Sequence, residues 1–126
     1  MTEPAAISSG RREVALVALA LAVLAQGVVL YAPQGAGAPP FPQADKVVHV
    51  AVFAVPTVLA LVARIPVRWV VGLLAAHAVV SEVVQSRLLP GRSGDPWDSL
   101  ADLGGIALGV LAVALWRWSR ARRERW

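Results

Sequence analysis

The chain has 126 residues, of which 57% are hydrophobic and only 16% charged, and its mean hydropathy of +0.62 is too high for a water-soluble domain of this size. It has no cysteine, which excludes disulfides and thiolate metal ligands. The net charge of +4 does not point to nucleic acid, because most arginines flank apolar runs and build no basic face interleaved with aromatics.

The apolar residues come instead in runs long enough to cross a bilayer, which takes about 20 residues of helix. The first run, Val14 to Ala32, follows Arg11-Arg12 and stops at Pro33-Gln34-Gly35, predicting a helix over 14–32. A cleaved signal peptide is the competing reading, but this core exceeds the roughly 7–15 residues of a signal sequence, so retention is preferred. A Gly- and Pro-rich connector continues to Pro42. The second helix is expected over 46–63 with Pro56 inside it, a kink that transmembrane helices tolerate. After the turn Arg64-Ile65-Pro66-Val67-Arg68 the third helix runs over 67–87 and breaks at Pro90-Gly91. Leu103 to Trp116 alone is too short to span, so the fourth helix is started near Trp97 and drawn over 97–116, leaving a basic tail over 117–126. The fold class expected is all-α: one polytopic domain forming a four-helix transmembrane bundle in a lipid bilayer.

Nine arginines fall at one end of such a bundle (Arg11, Arg12, Arg64, Arg68, Arg117, Arg120, Arg122, Arg123 and Arg125), and only Lys46, Arg87 and Arg92 at the other. The positive-inside rule then places both termini in the cytoplasm and loops 33–45 and 88–97 outside.

Nearly all the unusual polar residues gather at the outer end. Asp45, Lys46 and His49 open the second helix; Ser81, Glu82 and Gln85 lie in the outer half of the third; Arg92 and Ser93 are in the outer loop; Asp98 and Asp102 open the fourth. The spacings of three and four residues put each helix's polar pair on one face. Carboxylates at a helix N-terminus suit the macrodipole, which accounts for Asp45 and Asp98 without a function. Glu82 has no such explanation, being near a helix C-terminus at membrane depth, and should be paired, protonated or lining a wet cavity. Its expected partners are Arg92, Lys46 or His49. His77, Ser81 and Gln85 form a stripe that reads as a proton path or, more simply, as interhelical hydrogen bonding, and Gln26 as the same kind of contact. Gly105 and Gly109 form a small-residue seam that either packs within the bundle, the default reading, or joins two copies into a homo-oligomer.

The runs Asp45-Lys46-Val47-Val48-His49, Ser81-Glu82-Val83-Val84-Gln85 and Pro90-Gly91-Arg92-Ser93, leading through Asp98 to Asp102 and Gly105, resemble in order the VanZ-like family of small bacterial membrane proteins. The resemblance covers Asp45 to Trp116. It implies a multi-pass protein of the bacterial plasma membrane, and its namesake is associated with reduced susceptibility to teicoplanin, a glycopeptide that binds cell-wall precursors. The family pattern usually has Asn where this chain has Asp102, so the polar cluster here is more anionic.

Four functions compete at this point. In the first, an outward pocket binds or modifies an envelope component such as a lipid-linked precursor. Lys46 and Arg92 would hold a phosphate or carboxylate, Asp45, Gln85, Asp98 and Asp102 would complete the binding surface, and Glu82 and His49 would be acid and base, with no cofactor required. The second is a divalent-cation site of His49, Glu82, Asp98 and Asp102, although their spacing matches no metal signature. The third is an accessory protein whose polar cluster locks the helices or docks a partner. Transport is the fourth, disfavoured because four helices enclose little and no inverted repeat is present. The chain carries no nucleophile elbow, phosphate-cradling loop or HExxH motif.

Overall fold

The computed structural model describes residues 4–33, 39–92 and 94–125; Gln34, Gly35, Ser93 and Trp126 lie outside them. Among the described residues all regular structure is helical: α1 (Pro4–Tyr31), α2 (Ala44–Val62), α3 (Val67–Leu88) and α4 (Pro96–Arg123). Each helix contains a stretch long and apolar enough to cross a membrane, Ser9–Tyr31 in α1 and the whole of the other three. Large apolar side chains such as Val17, Leu21, Leu24, Leu73 and Leu108 face outward, the arrangement expected of a multi-pass membrane protein whose solvent is lipid.

The bounds of α2 and α3 fall within two residues of the sequence expectation, and α2 continues through Pro56, beside which the Thr57 hydroxyl donates to the Phe53 carbonyl at 2.7 Å. The other two helices are longer than expected. α1 begins at Pro4 rather than 14, because the residues before its apolar run are compatible with helix although too polar for a span. α4 runs from Pro96 to Arg123 rather than over 97–116. Asp95 caps its start, accepting from the Trp97 backbone N–H at 3.0 Å, and Pro96 fits the first helical position. At its other end Ala121 and the arginines propagate the helix, with Arg120, Arg122 and Arg123 beside its negative pole. Much of the expected polar tail is therefore the end of α4.

Consecutive helices run antiparallel. At one end Arg12 Nε donates to the Ala63 carbonyl at 3.3 Å and an Arg117 nitrogen to the Leu61 carbonyl at 2.7 Å, so the basic ends of α1 and α4 meet the C-terminal end of α2. At the other end Gln85 and Arg92 reach the carbonyl of Leu30. Two small apolar clusters fill the interior, Leu30, Phe53, Ala78 and Ile106 in one half and Ala60, Leu61, Val70 and Val113 in the other.

α2 and α4 make the closest packing. A Cβ on Gly105 would collide with the Val50 carbonyl, and one on Gly109 would stand 2.7 Å from Thr57 Cβ and 3.0 Å from the Ala54 carbonyl. The glycine seam is thus filled by α2 of the same chain, the packing within the bundle that was the default expectation for Gly105 and Gly109. Replacing Gly105 by Leu is expected to lower stability by about 1–3 kcal/mol through overpacking. Gly104→Ala, where a Cβ meets nothing within 4 Å, should leave stability unchanged or raise it by up to about 1 kcal/mol. Heat unfolding of both variants in detergent measures the difference, and equal effects at the two positions would contradict the packing.

Candidate functional site

The glycine contact holds α2 and α4 together just below their first turns, and those turns carry the polar residues. On α2 these are Asp45, Lys46 and His49; on α4 and its cap they are Asp95, Asp98 and Asp102, spaced by three and four so that they share one face. The Lys46 ammonium donates to Asp45 at 3.2 Å, Asp95 at 2.9 Å and Asp98 at 3.0 Å. An ammonium has three N–H bonds, and all three are matched.

One turn deeper, His49 Nδ1 stands 2.8 Å from Asp102 Oδ1, while its Nε2 lies 3.7 Å from Asp98 Oδ2. Asp102 is 0% exposed and His49 7%. With a proton on Nδ1 the ring donates to Asp102 and presents an Nε2 lone pair; with both nitrogens protonated it carries a charge between two carboxylates. Asp98 joins the two layers, one oxygen on Lys46 and the other facing His49. The result is a continuous polar network from Asp95 at the rim to the second oxygen of Asp102, which is buried without a hydrogen-bond partner.

Glu82 approaches this network from α3 and does not join it. Both carboxylate oxygens are shielded and without a hydrogen-bond partner, and the Asp95 backbone N–H approaches without completing a bond. The expected bonds to Arg92, Lys46 or His49 are absent, because Lys46 is saturated by aspartates and Arg92 is engaged elsewhere. His49, Asp98 and Asp102 remain within electrostatic reach of Glu82. Gly94 lies over it: a Cβ there would come 2.6 Å from Ser86 Cβ and 3.1 Å from Glu82 Oε1, so only glycine lets the α3–α4 loop pass so close.

Arg92 and Gln85 belong to a second construction. Gln85 Nε2 donates to the Leu30 carbonyl at 2.8 Å, and Arg92 donates to Leu30 at 2.7 Å and to Val29 at 3.1 Å. These carbonyls belong to the last turn of α1, where the helix itself supplies no donors, and a guanidinium suits the negative end of its dipole. Arg92 and Gln85, expected on one ligand surface with Lys46, thus bond to the end of α1 and, among the described residues, not to the groups around Lys46. The stripe on α3 also divides. His77 Nε2 meets the Tyr31 hydroxyl at 2.9 Å, Ser81 bonds back to the Ala78 carbonyl and Gln85 goes to Leu30, so these residues form no continuous relay. Gln26, expected to bond between helices, is 1% exposed and neither of its amide atoms has a hydrogen-bond partner.

Asp95 is the member of this polar network that the sequence reading passed over. Its signal was present as Asp95-Pro96, a capping side chain followed by proline at the first helical position.

Among the described residues no group of three or more imidazoles and carboxylates is arranged to hold a metal ion, which removes the geometric basis for the divalent-cation reading. Comparison with family models, curated proteins and solved structures finds no match to this chain. The chemistry is therefore read from the site itself. Among the described residues the basic groups found with Asp45, Glu82, Asp95, Asp98 and Asp102 are Lys46 and His49, and the lysine has no free N–H bond. An anionic group would meet net negative charge here. A hydroxyl or an ammonium group would meet acceptors and a base.

The hydrogen bond from Lys46 also holds the Asp95 carboxyl below its ordinary value of 3.8, with the Trp97 backbone N–H adding to the effect. A carboxyl with a depressed folded-state pKa stabilises the fold above its unfolded value and loses that contribution as pH falls through the folded one. Stability should accordingly decline as pH falls below about 4. In Lys46→Gln the same acid titration, followed by tryptophan fluorescence in detergent, should show a shallower decline.

Proposed function

We propose that the chain is a VanZ-like protein of the bacterial plasma membrane, with both termini cytoplasmic, whose outer face carries an acid–base site for a cell-envelope component. The observation that carries this reading is the buried His49–Asp102 pair at 2.8 Å with Asp98 facing the second ring nitrogen. The excess of arginine at the opposite end supports the orientation. The ordered motifs between Asp45 and Trp116 support the family.

In this mechanism Asp102 orients the imidazole, and Nε2 of His49 takes a proton from a hydroxyl or ammonium group on the exposed part of a lipid-linked precursor. Lys46 fixes Asp98 so that its free oxygen steadies the imidazolium that forms. Glu82 is the second acid, covered by the loop at Gly94. No phosphate-holding role is assigned to Lys46 or Arg92 in this reading, since Lys46 has all three N–H bonds on carboxylates and Arg92 is directed at the carbonyls of Val29 and Leu30.

A second reading has its own support. Lys46, His49, Asp98 and Asp102 bond chiefly to one another, as a purely structural lock between α2 and α4 would. Teicoplanin susceptibility, measured at matched membrane abundance in a host where the wild-type protein alters it, separates the two. His49→Gln is expected to abolish the effect with abundance retained. Asp102→Asn keeps an acceptor for Nδ1 and should retain part of it. A His49→Gln protein that keeps the full effect per molecule would overturn the acid–base reading, and loss of abundance in step with the effect would favour the lock.

A further inference from the structure

The basic end of α4 shows a construction that the acid–base site does not use. α4 has 28 residues, about 42 Å at 1.5 Å per residue, which matches a whole bilayer with its headgroups, about 40–45 Å, rather than the hydrocarbon core of about 30 Å. Its acidic first turn and its arginines therefore stand at opposite headgroup layers. Trp116 and Trp118 are exposed near the end of the apolar stretch, where indole rings settle at the membrane interface. One turn further on, each ring carries a guanidinium: Arg120 lies 5.3 Å from the Trp116 ring centroid and Arg122 4.2 Å from that of Trp118. The stacking orders otherwise flexible side chains and leaves their N–H edges free.

The two stacked pairs point to different sides of the helix, and one side forms a recess of about 380 Å³ bounded by Trp116, Ser119, Arg120, Arg123 and Glu124. Neither the Arg120 nor the Arg123 side chain forms an ion pair or hydrogen bond among the described residues, in contrast to those of Arg12 and Arg117, which hold carbonyls at the end of α2. Two planar donors one turn apart at headgroup depth fit the tetrahedral oxygens of a phosphodiester. The single carboxylate at the rim, Glu124, is outnumbered by Arg117, Arg120, Arg122, Arg123 and Arg125.

We propose that Arg120 and Arg123, framed by Trp116, bind the headgroup phosphate of an anionic glycerophospholipid in the leaflet at the basic end of the bundle. The bound lipid would anchor the end of α4 at fixed depth, with its acyl chain against the exposed face of Trp116. Each guanidinium near an anionic surface favours binding on the order of fivefold.

The test uses the full chain with Trp116 as its sole tryptophan (Trp69, Trp97, Trp118 and Trp126 replaced by Phe), reconstituted in phosphatidylcholine vesicles. Brominated phosphatidylglycerol or brominated phosphatidylcholine is added in graded amounts, and quenching of Trp116 emission gives the relative affinity of the two headgroups. The parent protein should prefer phosphatidylglycerol on the order of 25-fold at low ionic strength, about fivefold from each of the two guanidiniums, with the preference falling as salt is raised. Arg120→Gln with Arg123→Gln should reduce the preference to below about threefold, whereas Arg87→Gln at the opposite end should leave it unchanged. Should the double variant fail to fold, Arg123→Gln alone, in the exposed last turn, carries the test with an expected loss on the order of fivefold. Equal quenching by both lipids in the parent protein overturns the proposal. So does a preference that survives the arginine replacements.

Discussion

The approach of α4 to α2 across Gly105 and Gly109 is the contact on which the other features depend. The Val50 carbonyl, the Ala54 backbone and the Thr57 side chain occupy space that any larger residue would need. In a lipid solvent apolar burial does little to drive helices together, so close packing of backbones and interhelical hydrogen bonds must do it. The contact also sets a height. Gly105 lies one turn below Asp102, and Val50 directly follows His49, so fixing one pair fixes the other. A small-residue seam and a polar network are successive turns of one interface.

The same logic explains why so many charged groups are tolerated at this end. Lys46 offsets its carboxylates in part, and each of its N–H bonds has an acceptor. The exposed Asp45 and Asp95 gain little from that pairing, and it matters most for Asp98, the least exposed of the three. Glu82 stands outside that arrangement. Its neighbours supply more acid than base, and the loop passing at Gly94 covers it. A side chain held in that state without a structural partner is a stronger pointer to function than the saturated Lys46.

Much of the fold was legible because hydropathy and helix length are coarse, robust quantities: four apolar runs and the breaks at Pro33, Pro66 and Pro90 lead to four helices. The places where sequence and structure part are those where a residue had two physical uses. Arg92 and Gln85 looked like ligand-binding groups by depth, yet the bare carbonyls at the end of α1 claimed them. Asp95 looked like loop, although the proline after it marked a cap. The sequence reading draws the basic tail beyond Trp116 outside the fourth helix because it is too polar to span, but polarity ends a membrane span without ending a helix. The pairing of His49 with Asp102 needed the relative rotation of α2 and α4, which a list of i, i+4 spacings within each helix does not contain.

The carbonyl of Leu30 accepts from both Gln85 and Arg92, and the Val29 carbonyl beside it is bonded to the same guanidinium. A carbonyl oxygen has two lone pairs, and at Leu30 both are committed. The end of α1 is thereby fastened both to α3 and to the loop that follows it. Asp45 and Asp95, on the opposite side of the same face, keep part of their carboxylates open. The two groups thus differ in exposure: the Leu30 residue is fully buried, whereas Asp45 and Asp95 are partly open. A polar molecule that reached this end would meet the half-open Asp45 and Asp95 before the buried His49.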